Sequence, residues 1–184
     1  MKNLKSVSIL FFASLLFIAC SSDDENPEPV NEEEIITTVT VTLTPDDGGT
    51  PVTLVRDLDG DGPNEPVITV SGNLNANTSY NGDIILLNET EDPAENITEE
   101  VVEEAEEHQF FYTIAGGLNA STEYSNYDSD DNPLGTKFIL SAGDASAGTL
   151  TFTLRHEPKK PNDGTLGDAG GETDIEATFN VTVE

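Results

Sequence analysis

Residues 37–44 read Thr-Thr-Val-Thr-Val-Thr-Leu-Thr, and no other stretch constrains the fold as strongly. The alternation puts Val39, Val41 and Leu43 on one face and Thr38, Thr40, Thr42 and Thr44 on the other. Period two with β-branched residues describes a half-buried strand; a helix would scatter the same residues around its axis. Pro45-Asp46-Asp47-Gly48-Gly49 then supplies a turn. Further strand patterns follow in "PVTLV", "PVITV", "DIILLN", "HQFFYTI", "GTKFILS", "GTLTFTLRH" and "DIEATFNVTV". In the last, Ile175, Ala177, Phe179, Val181 and Val183 share the inward face. "DIILLN" is apolar on both faces, as a central strand would be. Short strands separated by turn signals predict an all-β antiparallel sandwich over residues 35–184 as a single domain. Cys20 is the only cysteine, so neither an intrachain disulfide nor a thiolate zinc site holds this domain. Its own core has to do so.

A local repeat sharpens the fold. "LNANTSY" at 74–80 recurs as "LNASTEY" at 118–124. Each resembles the Leu-x-x-x-Thr-x-Tyr corner of immunoglobulin-like and fibronectin type III domains, in which the tyrosine hydroxyl bonds back to backbone. The resemblance implies that role for Tyr80 and, in a second copy, for Tyr124. One segment breaks the β pattern. After Asp92-Pro93, residues Ile97, Val101, Ala105 and His108 form one helical stripe, with glutamates mostly off it. The expected architecture is therefore an immunoglobulin/fibronectin type III-like antiparallel sandwich with one inserted acidic helix at about 95–108.

The N-terminus reads as a targeting segment. Lys2 and Lys5 precede the apolar run Val7–Ile18, which ends at Ala19-Cys20. Its length and flanks suit a signal peptide over residues 1–19 better than a membrane span. Apolar and small residues before a cysteine read as a lipobox, which makes Cys20 the lipid-attachment residue and outer-membrane lipid a partner. The alternative is an ordinary secretory signal with a chance cysteine. Ser21-Ser22-Asp23-Asp24-Glu25 resembles the surface-export signal of Bacteroidetes-type lipoproteins, so the expected location is the outer membrane, facing the cell surface. Residues 20–34, rich in acids and proline, are expected to be a flexible tether.

The chain has 36 acids against 7 lysines plus arginines, a formal net charge of −29. Phosphate repulsion excludes nucleic acid as a partner. Such a surface attracts cations and resists aggregation. Adaptation to a salty habitat explains the acidity equally well.

The two histidines are the chemistry-bearing residues. His108 prolongs the helix stripe. His156 shares parity with Leu150, Phe152 and Leu154 and so faces inward, while Thr151, Thr153 and Arg155 face outward. Two imidazoles with nearby carboxylates suit Zn²⁺, Cu²⁺ or Ni²⁺, which makes His108, His156, Glu104 and Glu107 the expected ligand set. The bland alternative is two unrelated histidines capping core edges. A second cation candidate is "DLDGDGPNE", with Asp57, Asp59, Asp61 and Glu65. Alternating aspartates before a glycine resemble the first half of a Ca²⁺ loop, but Ile68 stands where an EF-hand needs glutamate. A simpler structural Ca²⁺ loop, joined by Asp128, Asp130 and Asp131, is weighed against a solvated acidic hairpin.

Catalysis has no motif behind it: no G-x-S-x-G elbow, no phosphate loop and no cysteine nucleophile within the domain. No enzyme activity is expected. Through "RDLDGDGPNEP", "NETEDPAENITEEVVEEAEEHQFFY", "LRHEP" and "GGETDIEATFNV" the chain resembles a family of small acidic Bacteroidetes outer-membrane lipoproteins, often labelled type 1 periplasmic binding fold superfamily proteins. That label denotes two α/β lobes with repeated βα units, so the fold expectation here rests on the strand patterns. The leading functional expectation is a surface lipoprotein that binds a metal cation or small ligand and serves a TonB-dependent transporter. The alternative is a non-catalytic adhesion module for protein or glycan.

Overall fold

Period-two runs become strands in the computed structural model, which describes residues 34–57 and 65–184. The expected signal peptide, Cys20, the tether up to residue 33, Asp59 and Asp61 lie outside the described residues. In chain order the elements are β1 (Thr38–Pro45), β2 (Val52–Asp57), β3 (Val67–Val70), β4 (Ser79–Leu87), α1 (Ile97–Glu103), β5 (His108–Ala115), β6 (Ala120–Tyr124), β7 (Lys137–Ala142), β8 (Ser146–His156), α2 (Leu166–Ala169) and β9 (Glu172–Val183). They form a six-stranded sheet, β3-β2-β1-β4-β7-β6, and a three-stranded sheet, β5-β8-β9. Every pairing between these strands is antiparallel. The all-β sandwich is thus as the alternation predicts.

The core lies between the sheets. Val39, Val41 and Leu43 of β1 are fully buried, as are Leu150, Phe152 and Leu154 of β8. Phe138 of β7 meets Phe152 of the opposite sheet at a ring-centroid distance of 5.6 Å. Aromatic pairs at such spacing add about 0.5–1.5 kcal/mol beyond their buried area. The Phe138 ring also lies over Gly82, its cross-strand partner. A Cβ at position 82 would come within 2.3 Å of the Phe138 Cζ, so only glycine leaves room for the ring. Gly82→Ala is expected to cost about 1–3 kcal/mol by overpacking. Urea unfolding should show this as a lower midpoint with an unchanged slope.

Both repeated tyrosines bond backbone, in different ways. The Asn75 N–H donates to the Tyr80 hydroxyl at 2.7 Å, a corner-type bond five residues upstream. The Tyr124 hydroxyl instead donates to the Phe110 carbonyl at 2.8 Å and so ties β6 to the opposite sheet.

Several boundaries differ from expectation. The helix runs from Ile97 to Glu103, not about 95–108, with Asn96 as its N-cap. The Asn96 side chain accepts the Thr98 N–H at 3.2 Å, which fixes the start four residues after Asp92. Ala105 and His108 stay buried, as the stripe predicts. By then the chain has left the helix, and His108 opens β5. β4 is central in its sheet, but only one face is buried: Ile84 and Leu86 are inside while Ile85 is exposed. Thr153 lies on the outward parity yet is buried; its hydroxyl donates to Glu176. No helix among the described residues is long and apolar enough to cross a membrane.

Candidate metal centre

The antiparallel register sets the site. β5 begins at His108 and β8 ends at His156, and these two residues are cross-strand partners. Side chains of directly opposed residues stand on the same face. Both imidazoles therefore look toward the interior at one end of the sandwich, with ring centroids 4.7 Å apart. The expected pairing of the two histidines is what the structure shows.

Two carboxylates that the sequence reading did not select complete the cluster. Glu34, expected in the flexible tether, instead folds against the domain with a side chain only 3% exposed. The side chain of Asp174 on β9 is 1% exposed. Strict alternation would turn Asp174 away, since Ile175, Ala177 and Phe179 face the core. The β8–β9 register shifts between Leu154 and Arg155: Leu154 pairs with Ile175 but Arg155 pairs with Thr173. Asp174 is the extra residue of this bulge, and bulges re-aim side chains.

The ligand-capable atoms converge. His108 Nε2 lies 2.8 Å from Glu34 Oε1 and 3.9 Å from Asp174 Oδ2. His156 Nδ1 lies 3.6 Å from Glu34 Oε2 and 3.8 Å from Asp174 Oδ1. One donor atom from each of the four residues falls within 4.8 Å of the others. A tetrahedral Zn²⁺ with bonds of about 2.0–2.2 Å sets its ligands about 3.3–3.6 Å apart. This buried His₂-Glu-Asp cluster has the composition and spacing to hold a metal ion.

Protonation sharpens the point. The Glu104 carbonyl, which only accepts, lies 3.1 Å from His108 Nδ1. Nδ1 therefore carries hydrogen, and Nε2 is the nitrogen left to face the carboxylates. A bare Nε2 lone pair at 2.8 Å from a carboxylate oxygen is repulsive, so a proton or a metal cation belongs between them. Burial pushes the His108 pKa down, but the hydrogen bond and charge of Glu34, together with the Glu104 carbonyl and the Asp174 charge, more than offset this and hold it above the ordinary imidazole value. Burial likewise pushes Glu34 up, and the His108 hydrogen bond, its own backbone contact and both imidazoles hold it below the usual carboxylate range. Among the described residues, Glu34 Oε2 and His156 Nδ1 have no hydrogen-bond partner. With neutral rings and ionised acids the cluster carries two negative charges in a dry place, which a divalent cation would neutralise.

The other expected ligands are placed differently. Glu104 contributes its carbonyl, not its carboxylate, because the turn after α1 leaves its side chain exposed. Glu107 stands outside the inner cluster, 58% exposed, with Oε2 at 4.0 Å from His156 Nε2. Of the proposed Ca²⁺ loop, Asp57 ends β2 and Glu65 is exposed. Neither belongs to a group of metal-capable side chains among the described residues. Asp128 is engaged otherwise: its carboxylate accepts from the Asp130 and Asn132 N–H groups and pairs with Lys160 at 3.2 Å. Asp130 and Asp131 are exposed.

Comparison with models of known protein families, with curated proteins and with solved structures returns no match for this chain. The reading of its function rests on the geometry of this site and on the sequence.

Proposed function

We propose that this chain is a lipid-anchored, surface-facing lipoprotein of the outer membrane that binds a divalent transition-metal cation, Zn²⁺ or Cu²⁺, and hands it to a TonB-dependent transporter. The observation that carries the reading is the convergence of Glu34, His108, His156 and Asp174, from four separate segments, into one buried site. Imidazole and carboxylate ligands suit these ions. Four protein side chains complete a tetrahedral ligand set, which suits tight holding rather than Lewis-acid catalysis at an open position and supports a binding protein over an enzyme. The lipobox-like end at Cys20 and the acid run after it support the anchoring.

The fold supports an immunoglobulin-like origin for this scaffold. With the β2–β3 hairpin set aside as an insertion, β1-β4-β7-β6 over β5-β8-β9 reads as A-B-E-D over C-F-G. The Tyr80 corner then lies at the start of the B strand, whereas immunoglobulin domains carry theirs at F.

The test is a calorimetric titration of chelator-stripped protein with Zn²⁺ and Cu²⁺. One equivalent should bind. At a hundredfold excess over Kd the melting temperature should rise by about 5–10 °C. Absence of both heat and thermal shift with either ion would overturn the reading and leave the adhesion module.

A further inference from the structure

His156 faces two ways. Its Nδ1 looks into the buried cluster, while its Nε2 looks out toward Glu107. Glu107, His156 and Glu157 form a second group whose donor atoms lie within 4.8 Å of one another. The Glu157 N–H donates to the Glu107 carbonyl at 2.7 Å, so the two acids continue the β5–β8 ladder past the histidine pair. Like charges placed opposite each other across a ladder repel. The ring between them is 5% exposed as a residue, and its Nε2 has no partner nearer than 4.0 Å among the described residues.

We infer that Glu107, Glu157 and His156 Nε2 form an outer landing site where a divalent cation is held in transit to the buried cluster. This inference rests on the function proposed above. A neutral imidazole has one acceptor nitrogen at a time. Outer and inner binding through His156 therefore exclude each other unless the ring loses its last proton. A shared ligand of this kind passes an ion along; it does not hold two. The inner side chains are all between 0% and 7% exposed, His156 the most, and the way in past it has Glu107 and Glu157 at its mouth. Exposed acids there attract the ion and strip part of its water before the ring takes it inward.

The test compares loading rates by stopped flow, with Zn²⁺ delivered from a chromophoric chelator. Glu107→Gln with Glu157→Gln should slow both uptake and release at least tenfold and change the equilibrium Kd less than threefold, since a landing site lowers the barrier in both directions. Glu91→Gln with Glu123→Gln, exposed acids elsewhere, removes the same charge and serves as the control; it should load at the wild-type rate. Unchanged rates in the first pair, a change in release alone, or equal slowing in the control pair would each overturn the inference. Wild-type protein that takes up no Zn²⁺ would instead overturn the function beneath it.

Discussion

Replacing His108 with alanine is expected to raise the Kd for Zn²⁺ by at least about a hundredfold, the upper end of what loss of even an outer partner to a metal ligand costs. His108 has no substitute: it is fully buried, and its Nε2 makes the shortest contact in the cluster. The same change should destabilise the metal-free protein by about 3–5 kcal/mol, because Glu34 is left as a buried charge without its partner. Asp174→Asn provides a second route, removing one charge while keeping the shape of the side chain; it too should weaken Zn²⁺ binding. Titration of both variants with Zn²⁺ is the measurement, and a wild-type Kd in His108→Ala would refute the site.

The metal-free protein should also show the sign of this pair in its pH dependence. The raised His108 pKa contributes stability that is complete below the unfolded value of 6.5 and is lost as pH rises through the higher folded value. The lowered Glu34 pKa contributes stability that is complete above the unfolded value of 4.5 and is lost as pH falls through the lower folded value. The stability gap between wild type and His108→Ala without metal is therefore widest between pH 4.5 and 6.5. Above that window His108 sheds its proton as pH rises through its raised folded value, and cation binding takes over the neutralising role.

What could be read from the chain, and what could not, follows the same physics. Strands such as β1 and β9 announce themselves because one face is buried, and alternation is the trace of that burial. β6 escaped because Ala-Ser-Thr-Glu-Tyr is short, polar and at the sheet edge, with no buried hydrophobic on it. The helix was overextended because Ala105 and His108 keep the helical stripe while a turn carries the chain into β5. His156 is legible from parity at a strand end; the helical stripe marks His108 as inward-facing, although the chain has already left the helix there and His108 opens β5. Glu34 was not, since it is one of many glutamates in an acidic stretch, and nothing local tells the one that folds inward from its neighbours. Asp174 was hidden by a bulge, which breaks the parity rule used to place it. One signal was available: β8 needs a partner strand, and the start of β9 is the stretch that must lie beside His156.

The brace beside the site leads to the second large effect. Lys160 is held between Asp128 at 3.2 Å and the Ala105 carbonyl at 2.5 Å, with side chains of Lys160 and Asp128 only 6% and 1% exposed. Burial pushes the Lys160 pKa down, and the Asp128 charge opposes it. Burial pushes Asp128 up, yet the Asn132 N–H and the Lys160 ammonium hold it below the usual carboxylate range. The two partners are not equivalent. Without Lys160, the Asp128 carboxylate keeps the Asp130 and Asn132 N–H groups. Without Asp128, an ammonium stays buried with one carbonyl, and the turn from Asp128 to Asn132 loses its acceptor. Asp128→Ala should therefore cost about 3–5 kcal/mol, the usual penalty for orphaning a buried charge. Lys160→Met should cost roughly half as much, since what remains is hydrogen-bonded and the stem packs as before. The double variant should be more stable than the sum of the two losses implies. Ala105 is next to Glu104, whose carbonyl orients His108, so Asp128→Ala should also weaken Zn²⁺ binding while Thr122→Ala on β6 leaves it alone. Urea unfolding of the four proteins decides the matter: equal losses from the two single variants would mean the acid does no more than the lysine to hold this turn in place.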